Sequence, residues 1–135
     1  MDPELKLISE AELLKVEIEP DRLGYLEEGD LAGFFPEIRT IFYQPWLGPR
    51  NRISSIAHEL GHAALGHIVD PPEWLHPRQE KEADLWAARL LIRENDYIAA
   101  DHHCDGHPGA IAQELGVTRR LVLAWRTFIE REMAS

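Results

Sequence analysis

His58-Glu59-Leu60-Gly61-His62 constrains this chain more than any other stretch, because it implies a helix and a chemistry together. Two histidines four residues apart leave one face of an α-helix at about 100° per residue, where they can grip a divalent metal. Glu59, one step round, can reach a water on that metal and take its proton, the division of labour of zinc peptidases. Around the motif Ile53, Ile56, Ala57, Leu60 and Ala64 recur at three-to-four spacing and predict the helix, with Asn51 and Ser54 as candidate caps. The same pentapeptide also suits a buried helix whose histidines only hydrogen-bond in the core. A third ligand decides between the two.

A catalytic zinc site takes three protein ligands and leaves a position for water. His67 is the nearest candidate, but in the metzincin register a third histidine falls where this chain has Ile68, and the accompanying glycine where it has Leu65. On a continuing helix His67 also lies about 140° from His62. It reads as a helix C-terminal histidine beside Gly66, favoured by the helix dipole. The prolines of Val69 to Pro77 return the chain for a second helix, expected over Arg78 to Arg93. Ala83, Trp86, Ala87, Leu90 and Leu91 form its apolar stripe, and Glu80 lies on that stripe. A buried carboxylate needs a compensating cation, so Glu80 is the expected third ligand unless it frays into solvent. Glu82 points about 200° away from it and reads as a solvated first-turn glutamate. Asp84, four residues after Glu80, shares its side and is a candidate partner for a ligand imidazole, or else an exposed acid in an acidic protein.

Taken together, His58-Glu59-Leu60-Gly61-His62 and the later run Glu80-Lys81-Glu82-Ala83-Asp84-Leu85-Trp86-Ala87-Ala88-Arg89-Leu90-Leu91 resemble the ImmA/IrrE family of metallopeptidases. That family is similar to thermolysin-type gluzincins, which pair the motif with a later glutamate and an aspartate four residues on. The resemblance covers roughly residues 31 to 92 and is weaker through the C-terminal helices. It implies Zn²⁺ held by His58, His62 and Glu80, with Glu59 as general base. It also implies an intracellular regulator of transcription of the kind encoded by bacteria, phages and mobile elements, whose protein substrate is a helix-turn-helix, DNA-binding repressor. The family's second helix often ends in Leu-Leu-Met-Pro, whereas this chain has Leu90-Leu91-Ile92-Arg93. A C-terminal sensory domain, present in some larger members, has no room here.

With 135 residues and 44% hydrophobic content, one domain over 1–135 is expected. An N-terminal helix and sheet would occupy about 1–50, the zinc-site helices 51–93 and a C-terminal helical part 94–135. The start carries no basic-then-apolar signal, no apolar run is long enough to span a bilayer, and Cys104 is the only cysteine, so a reducing cytoplasm is the expected location. Fourteen basic against 24 acidic residues, a formal charge of −10, discourage binding to nucleic acid, which depends on Lys and Arg contacts with phosphates. The acidity suits a basic partner, and it also serves solubility.

The fold class expected is α+β, with a small antiparallel sheet on the metal helix and on the Glu-bearing helix. Leu31 to Phe35 and Arg39 to Tyr43 are aromatic and β-branched and flank Pro36-Glu37-Ile38, which reads as a hairpin. An earlier strand is expected at Val16-Glu17-Ile18, after a short helix from Ser9 to Leu14. A sheet edge could receive an extended substrate, or the sheet could simply cover the helix. Pro108 to Trp125 has the look of a helix-turn-helix, in which Thr118, Arg119, Arg120 and Arg126 would meet DNA. From Pro108 to Ser135 there are four arginines against three glutamates, a thin electrostatic footprint, so a structural helical pair is the favoured reading. His102, His103, Cys104 and His107 read as a solvent-facing linker and not as a second metal site. One of these histidines, or Tyr97, could stabilise an oxyanion if the segment folds over the zinc. The rival function is a non-catalytic regulatory binding protein with a structural or vestigial metal site, associated with DNA through its C-terminal helices. An intact Glu59 favours the enzyme.

Overall fold

The structure, a computed structural model, describes residues 2–134; Met1 and Ser135, the outermost residues of the expected domain, lie outside the described residues. Asp2 caps the first helix, α1 (Pro3–Leu14), by accepting from the Glu4 amide, and Pro3 occupies the first turn where no N–H is needed. These two residues start the helix well before Ser9. Strand β1 (Glu17–Pro20) follows, then β2 (Ala32–Phe35), a 3-10 turn at Pro36–Ile38 and β3 (Thr40–Tyr43). Helices α2 (Pro49–Leu65), α3 (His76–Leu91), α4 (Glu94–His103), α5 (Pro108–Leu115) and α6 (Arg119–Ala134) complete the chain.

The fold is α+β, and the hairpin of β2 and β3 forms as its sequence predicts, with Phe34 opposite Ile41. The expectation of an all-antiparallel sheet is corrected: the order is β1-β3-β2, and β1 runs parallel to β3, with Ile18 opposite Ile41. The reason lies in the connection between β1 and β2. The Asp21 carboxylate accepts the amides of Gly24, Tyr25 and Leu26, and Tyr25 stacks on Phe42 at 4.5 Å, so the loop crosses the end of the sheet. The chain then descends along the far edge as β2 and rises again as β3 between the two earlier strands. Thr40, Ile41 and Phe42 are buried accordingly, whereas β2 remains an edge.

One cluster of buried side chains runs from Leu7 and Ala11 of α1 through Ile41, Ile53, Ile56, Ala57 and Leu60 to Ala87, Leu91, Ile111, Leu121, Val122 and Trp125. α2 lies between the sheet and α3, and α6 packs on α3. α2 and α3 approach closely at Gly61, where an added Cβ would come 2.9 Å from the carbonyl oxygen of Ala83. This contact sets His62 beside the first turns of α3. Neither Asn51 nor Ser54 caps α2: Gly48 is its N-cap, and the buried Ser54 hydroxyl accepts the Thr118 amide instead. No helix among the described residues is long and apolar enough to cross a membrane.

Candidate metal centre

α2 presents His58 and His62 on one face, as four-residue spacing requires. Their Nε2 atoms are 3.1 Å apart. Glu80, from the first half of α3, brings one carboxylate oxygen to 3.0 Å from His58 Nε2 and the other to 3.0 Å from His62 Nε2. Glu59 stands to the side, with an oxygen 4.0 Å from His58 Nε2, and His58, Glu59 and His62 offer donor atoms that all lie within 4.8 Å of one another. A tetrahedral zinc with bonds of about 2.0–2.1 Å separates its ligand atoms by roughly 3.3 Å. The separation of the two imidazole nitrogens is within a few tenths of an ångström of that, each Glu80 oxygen stands equally close to one of them, and two nitrogens and a carboxylate suit zinc chemically.

Electrostatics at the site favour a cation. Glu59, Glu80 and Asp84 surround two imidazoles, and among the described residues Arg120 is the one arginine or lysine that opposes them. Burial works against a charged His58, but hydrogen bonds to Asp84 and Glu80, with the field of Glu59, outweigh it and hold the imidazole at about 9. The same imidazole bonds pull Glu80 well below the usual carboxylate range. Glu59 goes the other way: burial pushes its carboxyl up, and the neighbouring imidazoles only partly offset this. A carboxylate raised by desolvation is a stronger proton acceptor, as general-base chemistry needs. Its orientation comes from β2, where the Phe34 amide donates to Glu59 Oε1 at 3.1 Å.

Asp84 contacts His58 Nδ1 at 2.7 Å and is itself held by Arg120 Nε at 2.6 Å. It is 9% exposed, so the alternative of a free surface acid does not describe it. Glu82 points elsewhere, towards His67 and Arg78. The centre lies in a cleft of about 1430 Å³ bounded by Tyr25 to Ile38, α2, the turn at Ile68 to Pro71, α3 and the start of α6. Among the described residues its lining carries one arginine, Arg120, and no lysine.

The oxyanion candidates Tyr97, His102, His103 and His107 do not line this cleft. Tyr97 accepts a hydrogen bond from Arg126 in the core beside Trp125, His103 faces Glu114, and His107 caps α5. Glu94 to His103 is helical, because Glu94 and Asp96 suit a helix start and Tyr97 and Ala100 are buried; of the cluster read as a linker, His102 and His103 are the exposed end of that helix, and Cys104 to Gly106 form the turn before His107. The role of Arg120 beside Asp84 is not visible in the sequence, where it figures only as a DNA contact under the disfavoured helix-turn-helix reading. Of the residues a DNA reader would have used, Arg120 turns to Asp84, Arg126 to Tyr97 and the Gly106 carbonyl, and the Thr118 amide to Ser54. No periodicity marks Arg120; only the docking of α6 on α3 does.

No curated protein matches the chain. The family model described as the IrrE N-terminal-like domain, Peptidase M78, matches residues 21–124, which reach from the loop before β2 into α6 and so exceed the resemblance visible by eye on both sides. With about three quarters of its length covered, the cleft and its His58-Glu59-His62 group included, the chain belongs to the Peptidase M78 family of IrrE N-terminal-like domains.

Proposed function

We propose that the protein is a zinc-dependent endopeptidase in which His58, His62 and Glu80 hold the metal and Glu59 is the general base. The observation that carries the reading is the convergence of the Glu80 carboxylate on both imidazoles, one oxygen to each at 3.0 Å, with Glu59 further off at 4.0 Å from His58 Nε2. Zinc, when bound, would acidify a water and polarise the peptide carbonyl. Glu59 takes the proton and returns it to the leaving amine, held in line by the Phe34 amide. Asp84, clamped by Arg120, fixes the ring of His58. An extended substrate would lie along the edge strand β2, whose residues line the cleft.

The substrate proposed is a helix-turn-helix repressor-type regulator, and the site of action the cytoplasm. Membership of a peptidase family supports a protein substrate. A cleft lined by Glu27, Asp30, Glu37 and Asp70 suits the basic surface of a DNA-binding protein. The test is metal content and cleavage in parallel. Glu59→Gln should retain one zinc per chain by elemental mass spectrometry and lose proteolysis of the cognate repressor, a fall of at least about a hundredfold. Glu80→Ala should lose zinc. Full activity in Glu59→Gln, or full zinc in Glu80→Ala, would refute the mechanism or the ligand set respectively.

A further inference from the structure

Behind the metal site stand two side chains that the mechanism above leaves without a role, His67 and Glu82. The His62 ring turns its Nε2 to His58 and Glu80, and its Nδ1 lies 2.8 Å from Nδ1 of His67. His67 Nε2 in turn faces Glu82 Oε1 at 3.5 Å. We propose that His67 is a positioning residue for the metal centre, accepting a hydrogen bond from His62 and passing one to Glu82. The inference rests on the assignment of His62 as a ligand through Nε2.

Direction in this chain follows from that assignment. A ring that ligates through Nε2 keeps its N–H on Nδ1, so His62 must donate across the 2.8 Å contact. His67 Nδ1 therefore accepts, its own N–H is on Nε2, and Glu82 is the group placed to receive it. Outer partners of this kind set the tautomer and orientation of a ligand histidine. The two ligand histidines are then backed differently. His58 has a carboxylate held by arginine, whereas His62 has an imidazole that adds no negative charge to an already acidic site.

The local fold holds His67 in place. Gly66 adopts a left-handed conformation with φ 65°, which ends α2 and swings the next residue back beside the helix. The His67 amide closes onto the His62 carbonyl at 3.1 Å. One residue on, Gln79 of α3 binds both the amide and the carbonyl of Ile68, at 2.9 and 3.0 Å, with its own side chain buried. The His67 side chain is only 8% exposed, so water competes poorly for its nitrogens. Glu82 is 46% exposed, and its end of the relay should matter less.

The experiment is zinc affinity, measured by competition with a chromogenic chelator for wild type, His67→Ala, His67→Gln and Glu82→Gln, with far-UV circular dichroism as a check of folding. His67→Ala should bind zinc about 10- to 100-fold more weakly. His67→Gln, whose amide oxygen can still accept, should recover most of the loss, and Glu82→Gln should stay within about threefold of wild type. In zinc-loaded wild type, long-range proton–nitrogen correlations should find the His62 proton on Nδ1 and the His67 proton on Nε2; this readout and the Gln variant decide the matter should the Ala variant not fold. Equal affinity in wild type and His67→Ala, no recovery with Gln, or a proton on His67 Nδ1 would overturn the relay while leaving the ligand set intact. A wild type that binds no zinc would instead overturn the ligand assignment, and the relay with it.

Discussion

Gly61 is a position in α2 with no room for a side chain. A Cβ there would meet the Ala83 carbonyl oxygen at 2.9 Å and its Cα at 3.1 Å, both backbone atoms that cannot rotate away. Gly61→Ala gains up to about 1 kcal/mol of helix propensity but overpacks the α2–α3 contact, which costs about 1–3 kcal/mol. The expected net result is a lower urea midpoint, together with weaker zinc retention as His62 and Glu80 are forced apart; a raised midpoint would show that the helices separate freely. Asp21 gives the residue-scale pH dependence. The Leu26 amide lowers its carboxyl most, burial opposes, and the Tyr25 and Gly24 amides lower it further. Because the folded value is depressed, its contribution to stability is complete above about pH 4 and is lost as pH falls through the folded value. Asp21→Asn should therefore be less stable at neutral pH and show a flatter acid limb in thermal melts from about pH 6 to about pH 3.

At the scale of elements, α2 and α3 were legible because their chemistry and their burial share one period. Ile53, Ile56, Ala57 and Leu60 are buried as their spacing requires, and His58 and His62 share the adjoining face. Leu60 is fully buried, so Leu60→Ala should cost about 2–5 kcal/mol, measured by equilibrium denaturation. The helix starts were less legible. Asn51 and Ser54 have capping side chains, yet the first turn is set by Gly48 and Pro49, and Ser54 is spent on α6. In the sheet, composition identified the strands, but the direction of β1 depended on the loop that Asp21 and Tyr25 tie across the sheet end.

For the whole molecule, the start of the last helix, α6, is part of the wall of the site. Leu121 and Val122 of α6 are buried in the same cluster as Leu60, and Arg120 extends from that docked helix to Asp84. Leu121→Ala should destabilise the whole chain by about 2–5 kcal/mol, with near-UV and far-UV transitions coinciding; a separate early transition would mean that α5 and α6 melt alone. The cleft charge predicts selectivity. With zinc-loaded Glu59→Gln as a trap, an extended lysine-bearing peptide should bind better than its glutamate counterpart, and the difference should shrink as salt rises past about 0.1 M, where the Debye length is about 10 Å. Fluorescence anisotropy at two salt concentrations would check it.

The sequence by itself determined that His58 and His62 share one face of a helix with Glu59 one step round, and that Glu80 and Asp84 share one side of the next helix, because within one or two turns spacing alone dictates direction. Only the tertiary structure decided that Arg120 clamps Asp84 and that the Phe34 amide aims Glu59, since those pairs are 36 and 25 residues apart and no local period relates them. His67 is the instructive case between the two. It is five residues from His62, near enough for helical extrapolation, yet the left-handed Gly66 ends the helix before it. Rotation of about 100° per residue carries no further than the last helical residue, and beyond it Gln79 and the packing of α3 determine where the imidazole points.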